Sequence, residues 1–370
     1  MQPQDILIIS GTRPAIIKLA PLYHALRQTD WARPCWLHSG QHGELASQML
    51  SSFAIQPDIH LSRQGDSLFE FGQGFRAQME EVMRRRRWSL VIVQGDTEDA
   101  FIGALAGFYH QVPVAHVEAG LRTHRLDRPF PEEGIRQMIS RVARFHYAPT
   151  RQAADDLAAE LGRGSDIVVT GNTVVDAQQW IAARHAIRRR ATGHGHLLLT
   201  LHRRENWGGD LEAICGAIAD IAARYPQLPI RFPVHPNPTV KAPVHRLLGH
   251  LPNISLSAPL DYPAMQQALA DAWLVMTDSG GLQEEAPTFG APLLVLREET
   301  ERPEAVIAGC ARIAGTRRDK IVAEFERLWH HPEQHQALQA AVNPFGDGHA
   351  CTRIVEHLAQ ALCAHPREQA

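Results

Sequence analysis

The sequence predicts an α/β protein built from two doubly wound, Rossmann-like domains facing each other across a cleft. Three observations predict it. Short apolar runs of four to six residues alternate with longer amphipathic stretches. The alternation breaks once near the middle and then resumes. Chemically capable residues gather just past the apolar runs, where sheets of parallel strands bind their ligands. At 370 residues the chain exceeds one ordinary domain and suits two of roughly 150–200 residues each.

Taken in order, Ile6–Ser10, Pro34–His38, Leu90–Gln94, Val112–Val117 and Phe145–Ala148 read as buried parallel strands. Ile17–Gln28 and Ser67–Arg87 read as amphipathic helices between them. The break falls at Leu161-Gly-Arg-Gly-Ser165 and Gly171-Asn172, followed by a helical stretch, Thr173–Arg190, and by Gly193-His-Gly195. Strands resume at Leu197–Leu201, Ile230–Val234, Ile254–Leu256, Trp273–Thr277 and Leu293–Leu296. The domains are therefore expected at 1–170 and 171–349, with an amphipathic last helix, Ala350–Ala364, strapping back onto the first.

Composition narrows the function. A formal charge of −3 gives no field for nucleic acid or anionic membrane. The basic runs Arg84–Arg87 and Arg188–Arg190 lack interleaved aromatics and read as solvated helix ends. Five scattered cysteines without a C-x-x-C pair indicate buried thiols in a reducing compartment, not a disulfide framework or a zinc site. No apolar stretch reaches the roughly 18 residues of a membrane span, and the N-terminus enters Ile6–Ser10 without a leader pattern. The expected place is the cytoplasm.

Four motifs of the first half stand at strand ends. Gly11-Thr-Arg13-Pro14 leads into a helix carrying Lys18. An ordinary turn has the same form, but free N–H groups with Arg13 and Lys18 would also attract an anion. Asp96 ends Val91-Ile-Val-Gln-Gly-Asp96-Thr97, as acid, base or helix cap. Glu118 lies in His116-Val-Glu-Ala-Gly-Leu-Arg-Thr123, an apolar setting that is costly unless the carboxylate is paired or used. Glu132 follows in Arg128-Pro-Phe-Pro-Glu132-Glu133, where helix-dipole complementation is the plainer account. Crowded into one pocket, Asp96, Glu118 and Glu132 would push at least one pKa upward.

The second half adds Thr200-Leu-His202-Arg-Arg-Glu-Asn206, His235-Pro-Asn-Pro238 and Thr277-Asp-Ser279-Gly280-Gly281-Leu-Gln-Glu284-Glu285. Ser-Gly-Gly opening a helix makes a phosphate cradle, with Glu285 one turn on to accept from ribose hydroxyls. Arg302, in Glu299-Thr-Glu-Arg-Pro-Glu304, brings another cation. A G-x-G-x-x-G fingerprint is missing, which argues against a nicotinamide dehydrogenase.

In this order the motifs resemble the non-hydrolysing UDP-N-acetylglucosamine 2-epimerases, of the GT-B fold shared with nucleotide-sugar glycosyltransferases. The resemblance runs from Gly11-Thr-Arg-Pro14 to Asn343-Pro-Phe-Gly-Asp-Gly348. It implies UDP held mainly by the second domain: Ser279, Gly280 and Gly281 on the phosphates, Glu285 on the ribose, and Arg13, Lys18, His202 and Arg302 as further contacts. The sugar would face Asp96, Glu118 and Glu132, with His202 also in the catalytic set. The implied reaction expels UDP to leave 2-acetamidoglucal and re-adds it. It implies no cofactor and no metal, a UDP-sugar as partner, and a homodimer.

Four positions depart from that pattern: Ala15 for a usual Glu, Ile135 for Asn, Leu201 for a small residue, and Glu44 for a second glutamine near Gln41. The last bears on a second, regulatory UDP-sugar site. The alternatives are a GT-B glycosyltransferase, which needs one base and an acceptor groove, and a non-catalytic UDP-sugar sensor.

Overall fold

The computed structural model describes residues 2–41, 43–162, 164–189, 195–203 and 206–363. Arg163, Arg190, residues 191–194, Arg204, Glu205 and Ala364, though parts of the sequence motifs above, lie outside the described residues, as does the side chain of Glu44. The chain divides into two compact units, 1–180 with 346–370, and 181–345.

The first unit runs β1 (Gln4–Ser10), α1 (Arg13–Arg27), β2 (Ala32–His38), α2 (Glu44–Ser52), β3 (Ile59–His60), α3 (Leu68–Arg85), β4 (Leu90–Gln94), α4 (Glu98–Tyr109), β5 (Val114–Val117), α5 (Glu132–Val142), β6 (Phe145–Ala148), α6 (Arg151–Leu161), β7 (Asp166–Val169) and α7 (Thr173–His185). Its seven-stranded sheet has the order β3-β2-β1-β4-β5-β6-β7, and every neighbouring pair is parallel. The order reverses between β1 and β4, which makes the loops after these two strands the ligand-binding point of a doubly wound sheet. Ile6, Leu7 and Ile8 are fully buried because helices cover both faces. Each such side chain contributes about 1.5–3 kcal/mol.

β7 is a strand that the sequence reading did not list, between the two parts of the break it placed near 161–165 and 171–172. Asp166–Val169 is half-buried at the sheet edge, so its apolar signal is weak. α7 begins after Gly171 yet stays with the first unit as far as Trp180. Trp180 stacks on His24 of α1, and Asp176 accepts from the N–H groups of Ala350 and Cys351. Those two residues open the last helix, which packs on α1.

The second unit runs β8 (His196–Thr200), α8 (Gly209–Arg224), β9 (Ile230–Pro233), α9 (Pro238–Leu248), β10 (Ile254–Ser257), α10 (Tyr262–Asp271), β11 (Ala272–Thr277), α11 (Gly280–Glu285), β12 (Leu293–Val295), α12 (Pro303–Ile307), β13 (Ala311–Ile313), α13 (Arg318–His330) and α14 (Pro332–Ala340). The last helix of the chain, α15 (Ala350–Cys363), returns to the first unit. The second sheet, β10-β9-β8-β11-β12-β13, repeats the same order and reverses between β8 and β11. Ile135 and Leu201, two departures noted above, are core residues of the first and second units, and Ala15 is buried in α1.

Two buried histidines of the first sheet make an acid-sensitive element. Burial pushes the His116 imidazole down to about 3 and that of His146 to about 4. Unfolded, each gains a proton near its ordinary value of about 6.5. Because the folded value is the lower one, the full stability is present above about pH 6.5 and is lost as the pH falls toward the folded values. Urea unfolding of the first unit should weaken by up to roughly 2.7 kcal/mol per pH unit between pH 6.5 and 5. The slope should shrink in a His116→Asn/His146→Asn double variant; an unchanged slope would place the proton uptake elsewhere.

Candidate active site

In the first unit the site residues sit past the carboxyl ends of β1, β4 and β5. Glu118 directly follows β5 and takes a left-handed backbone, φ 61°, a conformation that costs a non-glycine residue about 1–3 kcal/mol unless its surroundings hold it. They do hold it. Its carboxylate is ion-paired with Lys18, accepts from the Gln94 amide, and accepts from Asn172 Nδ2 at 3.2 Å. Lys18 is itself only 8% exposed. The cation read from the sequence as an anion contact therefore faces Glu118.

Asp96 lies one loop away: a Cβ built on Gly95 would come within 3.5 Å of Glu118 Oε2. Its Oδ2 accepts from Arg136 Nη2 at 2.5 Å, and Arg136 Nη1 also lies 3.5 Å from Glu133. Asp96 and Glu118 thus each have a cation of their own. Glu132 opens α5 and has no hydrogen-bond or ion-pair partner among the described residues, and the same holds for Arg13 at the start of α1.

The neighbouring Glu133 points the other way. It is fully buried and accepts from the N–H groups of Thr123 and His124 at 3.1 and 3.2 Å and from Gln137 at 2.8 Å. The rest of the His116–Thr123 motif is scaffold. His116 Nε2 reaches Gly95 O at 2.7 Å; neutral, it donates there and steadies the loop that bears Asp96. A Cβ on Gly120 would lie 2.2 Å from Ala153 O, and its φ is 91°, so only glycine fits. Arg122 clamps Glu160 through two bonds of 2.8 and 2.9 Å, joining α5 to α6 with a further bond to Ser140.

In the second unit the motifs follow β8 and β11. Ser279 caps α11, accepting from Leu282 N at 3.4 Å, while its own N–H goes to Thr277 Oγ1 at 2.9 Å. Neither Gly280 nor Gly281 has a left-handed backbone, and a Cβ on either would meet nothing closer than 3.5 Å. The fold therefore leaves these glycines unexplained, and close approach of a ligand would account for them. Glu285 is buried and accepts from Gln266 Nε2 at 2.5 Å. Arg302 is ion-paired with the buried Glu284. Arg203 forks onto Glu301 at 2.9 and 3.1 Å. Burial would raise the Glu301 pKa, but Arg203, Arg297 and Arg302 bring it down to about 2. His202 lies 3.0 Å from Asp278 through Nδ1.

Sequence reasoning missed Gln94, Arg136, Asn172, Gln266 and Asp278 as supports. Gln94 and Asp278 lie within quoted motifs and carried a positional signal. Asn172 and Gln266 carried none.

Two parallel sheets, each with its reversal point dressed with polar residues, define a protein of two Rossmann-like domains in the GT-B class. The family model described as UDP-N-acetylglucosamine 2-epimerase matches residues 24–359, and the chain belongs to this family. It is 42% identical over 367 residues to the UDP-N-acetylglucosamine 2-epimerase of Yersinia pestis, covering 95% of this chain and 98% of the relative. The Bacillus subtilis enzyme of that name is 38% identical over 363 residues, covering 97% and 96%. Among solved structures, UDP-GlcNAc 2-epimerase from Neisseria meningitidis, bound to UDP-GlcNAc, superposes with a TM-score of 0.89 at 35% identity, over 96% of this chain and 100% of that one. The Methanocaldococcus jannaschii enzyme in complex with UDP-GlcNAc and UDP gives 0.78 at 30% identity, over 96% and 99%.

Proposed function

We propose that the chain is an isomerase that interconverts UDP-N-acetylglucosamine and UDP-N-acetylmannosamine. The observation that carries this, within the family just given, is Glu118: a carboxylate held in a left-handed backbone by Lys18, Gln94 and Asn172, beside the Asp96 loop.

The proton beside the acetamido group is weakly acidic, so its removal needs a positioned carboxylate and a stabilised leaving group. Asp96, Glu118 and Glu132 remove that proton and return it to the opposite face. As it leaves, the bond from the anomeric carbon to the UDP oxygen breaks, and its electron pair departs with the diphosphate. The ring gains a carbon–carbon double bond, giving 2-acetamidoglucal, and UDP re-adds at the anomeric carbon. Ser279, Gly280 and Gly281 take the phosphates, Glu285 the ribose, and Arg13, His202 and Arg302 supply positive charge or donors, while Lys18 holds Glu118 in place. In deuterated solvent, turnover should place deuterium on the ring carbon beside the acetamido group, read by NMR. Product without deuterium there would exclude elimination.

A homodimer and a cytoplasmic place of work belong to the same proposal. The five thiols are unpaired, which suits a reducing compartment. No helix among the described residues is long and apolar enough to cross a membrane. On α4, Phe101, Leu105, Phe108 and Tyr109 follow the i, i+4, i+7, i+8 spacing of one helix face, and Phe108 and Tyr109 are 55% and 65% exposed. This stripe suits a subunit contact. Phe108→Glu should lower the sedimentation coefficient toward that of a monomer; an unaltered dimer would assign the contact to another face.

A further inference from the structure

Asp278 ties together the two loops at the reversal point of the second sheet. The last paired residues of β8 and β11 are Thr200 and Thr277, whose hydroxyls lie 2.6 Å apart. One residue on, Asp278 is completely buried and is surrounded by donors. Its Oδ2 accepts from the N–H groups of His202 and Arg203 at 3.1 and 3.0 Å and from Asn206 Nδ2 at 3.1 Å. Its Oδ1 accepts from the His202 N–H at 3.1 Å and lies 3.0 Å from His202 Nδ1. Burial would raise this carboxyl, but the bond and charge of His202 with the backbone donors hold it below the usual range. An ionised carboxylate only accepts, so the ring nitrogen facing it must carry a proton.

We infer that Asp278 is the positioning residue that fixes His202 as the Nδ1–H tautomer, so that Nε2 alone carries or lacks the proton presented to the UDP phosphates. The inference rests on the proposed role of His202 as a diphosphate contact. The His202 side chain is 45% exposed, which leaves the far side of the ring open to a ligand. Two further groups stand near it. His235, in the loop after β9, has its pKa lowered by burial and then by His202, against the pull of Asp278; its Nδ1 accepts from Asn237 N at 3.2 Å. Arg203 is engaged with Glu301. Asp278 is therefore the carboxylate that sets the ring.

Asp278→Asn tests this at almost constant volume. The amide oxygen takes over the donors of Arg203 and Asn206, and the amide NH₂ turns to His202 Nδ1. That nitrogen must then accept, and the neutral ring moves its proton to Nε2. Nitrogen-15 NMR of the full chain, at a pH above the histidine titration range, should show a protonated Nδ1 and a bare Nε2 in the wild type, with the reverse in Asp278→Asn. Turnover of the variant should fall by about 10²-fold or more, with UDP affinity changing less than about tenfold.

A bare Nδ1 in the wild type would overturn the inference, as would a variant that keeps both the wild-type tautomer and its turnover. Should the variant not fold, the wild-type spectrum decides alone. A wild-type chain that leaves UDP-N-acetylglucosamine unchanged would sink the proposed function while leaving the tautomer test standing.

Discussion

Glu132→Gln is expected to lower turnover of UDP-N-acetylglucosamine by about 10²-fold or more, the usual effect of losing a general acid or base, while leaving the thermal midpoint almost unmoved. Glu132 opens α5 without a hydrogen-bond or ion-pair partner among the described residues. Its replacement breaks nothing internal and removes only a helix-dipole term of about 0.3–1 kcal/mol. Glu118→Gln should match it in turnover and differ in stability. It leaves Lys18 buried against a neutral amide, and breaking a buried pair from one side costs about 3–5 kcal/mol. Asp96→Asn should fall between them, since Arg136 keeps its contact with Glu133. Steady-state rates beside melting curves separate the three, and near wild-type turnover in all of them would mean the chemistry is elsewhere.

Gly280→Val should abolish UDP binding in a chain that still folds. The backbone at Gly280 is not left-handed, and the closest atom to an added Cβ is Arg203 Nη2 at 3.5 Å, an ordinary contact. An added Cβ therefore meets no clash in the protein itself, and what the side chain blocks is close approach of an oxyanion to the backbone at the start of α11. Calorimetric titration with UDP should give no measurable heat, with far-ultraviolet circular dichroism unchanged. Normal UDP affinity in Gly280→Val would remove Ser279-Gly280-Gly281 from the phosphate site.

The central strands were legible in the sequence because each is a continuous apolar run covered on both faces, as Leu90–Gln94 is. The strands that escaped notice, Ile59–His60, Asp166–Val169 and Ala311–Ile313, are edge or near-edge strands of two to four residues. Partial exposure dilutes their pattern. Within the site, sequence order brought out Asp96, Glu118 and Glu132 but not their surroundings. Lys18 and Glu118 are 100 residues apart, and only the parallel order of β1, β4 and β5 brings them together. Glu132 and Glu133 are indistinguishable as letters. The helical turn of α5 sends Glu133 into the protein to hold Thr123 and His124, and leaves its neighbour unengaged.

The return of α15 to the first unit has a consequence for synthesis. As the ribosome delivers the chain, the unit begun first is the last to be covered, because Asp176 and α1 must wait for Ala350, Cys351 and the helix they open. The second unit, contiguous from 181 to 345, can close while the first still lacks that cover. A stop codon shortly before residue 350 would therefore spare the later-made unit and cripple the earlier one.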